Sequence, residues 1–392
     1  MNFVMAFHYK KLGELVTIIG GGTPDRNKPH FWNGDINWIS VKDLVGDTIS
    51  SSLETITTEG LEKSSAKLIP KGNIILPTRM ALGKVAINQI DVAINQDLKA
   101  LIIKDNSQLD LYYLFYFLKS KSNFIESKGK GATVKGITVN LISNLEVPIL
   151  PLTLQKKIAS VLRKAQALIN KRKAQIEALD QLTQSVFLEM FGDPVSNKTW
   201  ERRPLKDIAD VRDGTHDSPK YVPNGYPLVT SKNIKNGKID LSNVNYISEE
   251  DFININKRSK VDIGDIIMPM IGTIGNPIIV DEQPNFAIKN VALIKFNNPL
   301  LVNIYLKYLL DSHYLDYILN KNKRGGTQKF LSLTDIRNME IPLPPRDLQD
   351  KFSEIVKKID SQKSILHKSL RELEKNFNSL MQRAFKGELF ND

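Results

Sequence analysis

Basic and amide side chains set beside glycines are the groups of this sequence with the clearest chemistry. Lys128, Lys130 and Lys135 surround Gly129 and Gly131, and Lys323, Arg324 and Lys329 surround Gly325 and Gly326. Glycine lets backbone N–H groups come close to a phosphate, and lysine or arginine adds the opposite charge. Lys42 and Lys232 occupy matching places in INWISVKDL (36–44) and YPLVTSKNI (226–234), and Arg79 and Lys84 lie in PTRMALGKVA. Asn95 and Gln96, with Lys289 and Asn290, offer the amide and ammonium groups that read base edges in a major groove. A solvated loop or a basic turn at a domain edge uses the same residue types, so only the set as a whole points to a polyanion. The charge balance agrees: 54 Lys and Arg stand against 43 Asp and Glu, a net charge of +11. Trp38, whose counterpart is Leu228, is expected in a core rather than stacked on a base.

Bond-making chemistry has no comparable support. A phosphate loop needs a hydroxyl residue after Gly83-Lys84, where the sequence has Val85. The glycine spacing after Gly129 and Gly131 fails the dinucleotide fingerprint. His8, His30, His216, His313 and His367 show no metal-ligand spacing, and there is no GxSxG. Leu343-Pro344-Pro345-Arg346 is wrong on both sides for an amino-methyltransferase pocket, and Pro24-Asp25 with Glu62-Lys63 fits a nuclease only by force. The chain is expected to catalyse nothing and to hold no cofactor or metal. Cysteine is absent, which excludes disulfides and fits a reducing cytoplasm. No apolar run approaches a membrane span, and the start, MNFVMAFHYKK, lacks the pattern of a signal peptide.

The elements that must position these groups come in duplicate. VPILPLTLQKKIASVLRKAQALINKRKAQIEALDQLTQSVFLEMF (147–191) returns as IPLPPRDLQDKFSEIVKKIDSQKSILHKSLRELEKNFNSLMQRAF (341–385), at a constant offset of 194 residues. Each copy opens on prolines, and Thr153 and Asp347 are the expected N-caps. Apolar residues then recur at three and four, the seam of an amphipathic helix of about 50–55 Å. Leu168 and Leu182 fall on this stripe. The expected pairing residues are Ile158, Leu162, Ala165, Ile169, Leu179 and Val186 in the first helix. In the second they are Phe352, Ile355, Ile359, Leu366, Leu373 and Leu380. A long helix does not hold alone with its stripe exposed. The second helix leaves a second globular block and finds the first as its simplest partner, running antiparallel to it. The competing arrangement folds each helix back onto its own block as core.

The globular blocks repeat too. GNIILPTRMALGKVAIN (72–88) parallels GDIIMPMIGTIGNPIIV (264–280), AINQDLKALIIK parallels AIKNVALIKF, and KGATVKGITVNLISNLEVP (130–148) aligns on RGGTQKFLSLTDIRNMEIP (324–342). Short strands are expected at 36–41, 73–76, 84–87 and 101–103, with a helix at 111–119. The fold class is therefore α+β. Two similar mixed domains, 1–146 and 194–340, alternate with spacer helices at 147–193 and 341–392, with pseudo-two-fold symmetry. The side chains differ most between 23 and 70 and between 214 and 260, as in two readers of different targets.

The sequence resembles the specificity subunit of type I restriction-modification systems. The resemblance spans nearly the whole chain and rests on WISVKDL (38–44), GNIILPTRMALGKVAIN with AINQDLKAL (72–101), GATVKGIT and GGTQKFLS, and the VPILPLTLQKKIA and IPLPPRDLQDKF helix starts. It implies a non-catalytic, cytoplasmic subunit in which each domain reads one half of a split, asymmetric target in double-stranded DNA. It implies that the helices fix the gap between the halves as a coiled-coil spacer. Two methyltransferase subunits carrying S-adenosylmethionine and two translocase–nuclease subunits using ATP with Mg are the implied partners. The alternative is a coiled-coil adaptor holding two protein-binding domains, without DNA.

Overall fold

The computed structural model describes residues 8–131, 134–235, 237–271, 274–321 and 330–389. The chain divides into two compact units, Met1–Lys173 with Lys368–Asp392, and Ala174–His367. The boundaries cut both long helices, Leu152–Phe191 and Arg346–Lys386, instead of following their ends. Among the described residues no helix is long and apolar enough to cross a membrane.

The first unit is built on a five-stranded sheet. Its spatial order is Val16–Gly20, Leu98–Ile103, Ile74–Pro77, Ala86–Asn88 and Thr48–Ile49. The strand side chains alternate between two cores, as the period of two requires. Ile74 and Leu76 enter the larger core with Tyr113, Leu114 and Phe117 of helix Leu111–Ser120, while Ile75 enters a smaller core with Ile39 and Ile94. Both faces are thus covered, which is why Ile74, Ile75 and Leu76 read as a continuous apolar run. A second sheet orders Glu54–Ile56, Trp32–Ile39, Val92–Ile94 and Lys67–Ile69. Trp38 is buried in it and donates to the Gly22 carbonyl at 3.0 Å, so it is a core residue as expected.

The second unit repeats this plan. Asp210–Asp213, Val291–Lys295, Ile266–Pro269 and Ile278–Ile279 form the counterpart sheet, and Asn245–Ile247, Tyr226–Val229 and Ala287–Ile288 the smaller one. Ile266 and Met268 face one core and Ile267 the other. Helix Glu249–Ser259 stands where the first unit has the shorter Thr58–Glu62. This difference falls inside the segment of greatest sequence divergence.

Each long helix is capped two residues earlier than expected, at Pro151 and Pro345. The carbonyls of Pro151 and Pro345 accept the first helical bonds, from Gln155 at 3.0 Å and Gln349 at 3.2 Å. Thr153 and Asp347 therefore lie in the first turn and are not N-caps. The start is fixed by a pair of fully buried glutamines instead. Gln155 accepts from the Asp110 N–H at 2.9 Å and donates to the Gln108 and Leu150 carbonyls, both at 2.8 Å. Gln349 accepts from the Val302 N–H at 2.9 Å and donates to the Leu300 and Pro344 carbonyls at 3.0 and 2.9 Å. Tyr113 and Tyr305 add matching bonds to the Pro148 and Pro342 carbonyls, at 2.8 and 2.7 Å. Gln349→Ala strands an N–H and two carbonyls in the interior. The expected loss is roughly 2–4 kcal/mol of unfolding free energy, read from denaturant melts. A change below about 0.5 kcal/mol, the range of neutral surface substitutions, would show that water replaces the amide at no cost.

In the first unit Ile158, Leu162 and Ile169 share the larger core with Phe377 and Ala384, and Ala165, Leu373 and Leu380 pack against it. In the second unit Phe187 and Phe191 share the core with Phe352 and Val356, and Val186 packs against it. The start of each helix thus meets the end of the other, so the helices are antiparallel in both units. Both arrangements weighed from the sequence are realised at once, because the same residues that pair the helices also close the globular cores. Ile176 and Ile359 are buried, whereas Leu179, Ile355 and Leu366 are half-buried. Leu168 and Leu182 are exposed. A straight helix with 3.6 residues per turn drifts off a stripe continued this far. Lys173–Glu374 at 3.0 Å and Lys363–Asp180 at 2.5 Å join the helices outside the cores.

Candidate nucleic-acid interface

In the first unit three chain segments meet at the end of the larger sheet. The Thr78 N–H donates to Asp97 O at 2.7 Å, Ile137 N–H to Thr78 O at 2.9 Å, and Met80 N–H to Lys135 O at 3.0 Å. Lys130 and Gly136 exchange two further bonds at 2.9 and 2.8 Å. This backbone lattice brings Arg79, Lys130 and Lys135 together with their side chains exposed. Lys128 lies just before this lattice, its ammonium 5.4 Å from the Phe124 ring centroid. Met80 sits between the basic residues at φ +66° with 61% of its surface exposed. A non-glycine residue held in the left-handed region is the kind of strain that accumulates at binding sites.

Arg79 lies 3.9 Å from Asp97. Lys99, half-buried beside them, donates to the Gln96 and Leu98 carbonyls at 2.8 and 3.0 Å. Burial pushes its ammonium below the ordinary lysine range; Arg79 pushes the same way and Asp97 opposes. Sequence reading passed over Lys99, whose only signal was a charge inside a strand. Lys84 is exposed but tied to the Leu44 carbonyl at 2.8 Å, and Lys42 is exposed in the turn capped by Ser40 and Asp43.

Asn95 is a correction. Its side chain is 7% exposed and its oxygen accepts from the Asp97 N–H at 3.1 Å, so it shapes the turn and presents little surface to a base. Gln96 is exposed, and its amide oxygen accepts from the Thr23 hydroxyl at 2.5 Å. Thr23 reaches it because Gly21 runs against the next strand, where a Cβ would stand 1.9 Å from Ile94 O.

The second unit reproduces the frame with other side chains. Gly214 lies against Ile288 in the same way, with a Cβ at 2.4 Å from the carbonyl oxygen. His216 stands where Thr23 does, its Nδ1 2.9 Å from the Asn290 amide oxygen. Lys289 donates to the Ser218 hydroxyl at 2.6 Å. Lys232 is exposed in a turn capped by Thr230 and Asn233, the counterpart of the Ser40 turn. In place of Arg79 and Gly136 the second unit has exposed Ile271 and Phe330, joined by an isolated β-bridge. Lys323, Arg324 and Lys329 lie outside the described residues. His216, with Asp213 and Arg258 behind it, was missed because histidine spacing was searched for metal ligands alone.

A family model for the type I restriction modification DNA specificity domain matches residues 6–178 and again residues 197–375. The chain belongs to that family. Each family copy takes in one globular block and the leading part of the long helix after it. The type I restriction enzyme MjaIX specificity subunit of Methanocaldococcus jannaschii is 27% identical, over 97% of this chain and 93% of the relative. The MjaVIII specificity subunit of the same organism is 28% identical over 72% of this chain and 71% of its own length. The fold is similar to that of the specificity subunit of a type I restriction-modification system from M. genitalium, with TM-score 0.55, 17% identity and coverage of 98% and 97%. It is also similar to a chain from a study of complex assembly and conformational transition in a type I system, with TM-score 0.60, 19% identity and coverage of 98% and 99%. The repeated family copies and the repeated surface frame agree: this chain carries two differently furnished faces on one scaffold.

Proposed function

We propose that each globular block reads one half of a bipartite target in double-stranded DNA for a type I restriction-modification complex. The observation that carries this is the pair of matched surfaces. Arg79, Gln96, Lys99, Lys130 and Lys135 on the first unit correspond in backbone frame to a differently furnished set around Asn290, Lys289 and Ile271 on the second. The same scaffold bearing different donors, acceptors and apolar groups is what reading two different half-sites requires. The basic residues fix the duplex through phosphates, and the amides address base edges.

The long helices, of 40 and 41 residues or about 60 Å each, serve in this reading as the spacer that sets the unread gap. Their polar faces are the surface offered to two methyltransferase subunits, with two translocase–nuclease subunits completing the restriction complex. The chain acts in the cytoplasm and supplies the address without catalysis. S-adenosylmethionine, and ATP with magnesium for restriction, belong to the partner subunits. The absence of any nucleotide, nucleophile or metal motif in the sequence supports this division.

The test is an exchange of residues 1–145 for those of a relative, followed by genome-wide mapping of methylated adenines in cells that also carry the partner subunits. One half of the target is expected to change while the other stays. If both halves changed together, independent readers would be wrong. If no sequence-specific methylation depended on this chain, the adaptor reading would stand in its place.

A further inference from the structure

The amides at the two matched positions are held by different donors, and this difference has chemical content. In the first unit a hydroxyl, Thr23, holds Gln96. In the second an imidazole, His216, holds Asn290, and its other nitrogen, Nε2, lies 2.6 Å from the carboxylate of Asp213. Asp213 is buried and is also paired with Arg258. An ionised carboxylate only accepts, so the imidazole keeps its proton on Nε2 in either charge state. The state of Nδ1 is therefore the only variable.

With Nδ1 protonated, His216 donates to the Asn290 oxygen, and the amide NH2 is turned away from it as a donor. With Nδ1 bare, His216 accepts, so the Asn290 NH2 turns toward it and the carbonyl oxygen is turned outward as an acceptor. A half-turn of one amide thus reverses the hydrogen-bonding sense of the group beside Lys289. Asn290 is suited to being held in this way. It occupies a left-handed turn (φ +54°) pinned by N–H bonds from Thr215 to Ile288 O at 3.0 Å and from Lys289 to Val229 O at 2.9 Å.

Resting on the proposal that the second unit reads a half-site, we propose that His216 sets which end of Asn290 meets the DNA, and so which base is preferred at one position. A donor facing outward suits G O6 or T O4; an acceptor facing outward suits A N6 or C N4. The charged groups at the imidazole are Asp213, at the end of strand Asp210–Asp213, Arg258 of helix Glu249–Ser259 on the same carboxylate, and Lys289 beside Asn290. A side chain at 216 that only donates therefore moves the preference toward G or T, and one that only accepts moves it toward A or C. His216 is a positioning residue here, and Asn290 is the group that touches the base.

The experiment uses the full chain assembled with its methyltransferase subunits, on duplexes varied at every position of the half-site read by the second unit. The methylation ratio between G- or T-bearing and A- or C-bearing duplexes is measured for two variants at position 216. His216→Lys supplies a side chain that only donates and His216→Glu one that, ionised, only accepts, both at an exposed position. At one position the ratio is expected to differ about tenfold between the two variants, within the range of one base contact. Half-site preferences of the first unit stay fixed and serve as the internal standard. With Asn290→Ala added, the two variants are expected to give the same ratio. Equal ratios for His216→Lys and His216→Glu at every position overturn the proposal. Loss of all sequence-specific methylation by the wild-type complex would instead overturn the half-site reading beneath it.

Discussion

Phe352→Ala is expected to cost about 3–5 kcal/mol of stability, the range for emptying a fully buried phenylalanine site. The Phe352 ring lies 5.6 Å from Phe187, 5.3 Å from Phe191 and 5.5 Å from Tyr308, in edge-to-face contact with each. Tyr305 stacks on Phe187 at 5.8 Å and meets Phe191 edge-on at 4.8 Å. Four elements share this cluster: the end of the first long helix, the start of the second, and helix Asn303–Asp311 with the strand Glu340–Leu343 behind it. Removing one ring leaves a gap that neither rigid helix can close, so little of the cost is recovered by collapse. Denaturant unfolding monitored by circular dichroism measures it. Leu182→Ala, on the first long helix and exposed, is the control and should stay within about 0.5 kcal/mol. A loss below about 1 kcal/mol for Phe352→Ala would mean that the helices do not close this core.

Replacing Arg79, Lys130 and Lys135 together with alanine is expected to weaken DNA binding by about two orders of magnitude near physiological salt, at roughly 1 kcal/mol for each lost phosphate contact. All three side chains are exposed, so the fold should survive; the lattice that joins them is backbone to backbone. The more telling quantity is the salt dependence. Each phosphate contact contributes about 0.9 to the slope of log affinity against log salt concentration, so the slope should fall by about 2.7. In the proposed reading these groups hold the duplex without reading its bases, so weak and strong targets should lose affinity alike. An unchanged slope would remove the three from the phosphate surface. The same measurement on Lys84→Ala should show a smaller change, because that ammonium is already bonded to the Leu44 carbonyl.

Much of this architecture was legible in the chain itself. A gap-free repeat of 45 residues with a three–four apolar stripe requires two helices of the same kind, and helix burial leaves each of them the other as partner. The duplicated blocks required two copies of one mixed fold, and apolar runs located the strands Trp32–Ile39, Ile74–Pro77, Ala86–Asn88 and Leu98–Ile103 of the first block but missed its shorter ones. These features are local or periodic, and the sequence displays local and periodic information directly. The basic residues around Gly129 and Gly131 were legible for the same reason.

Tertiary structure decided the rest, because it turns on which distant segments meet. Asn95 and Gln96 are neighbours with the same chemistry. Only the packing of the turn against strand Ile74–Pro77 buries the first and exposes the second. Gln155 and Gln349 read as polar positions on a helix surface, yet each is buried because loop N–H and carbonyl groups from some 45 residues away need its amide. His216 carried no motif. It gained a role when Gly214 let its loop lie against Ile288, placing one ring nitrogen on Asp213 and the other on Asn290. Sequence by itself determined that there are two of everything and that they are basic. Packing alone determined which atoms of each copy face outward, since burial and hydrogen-bond partnership are properties of neighbours in space.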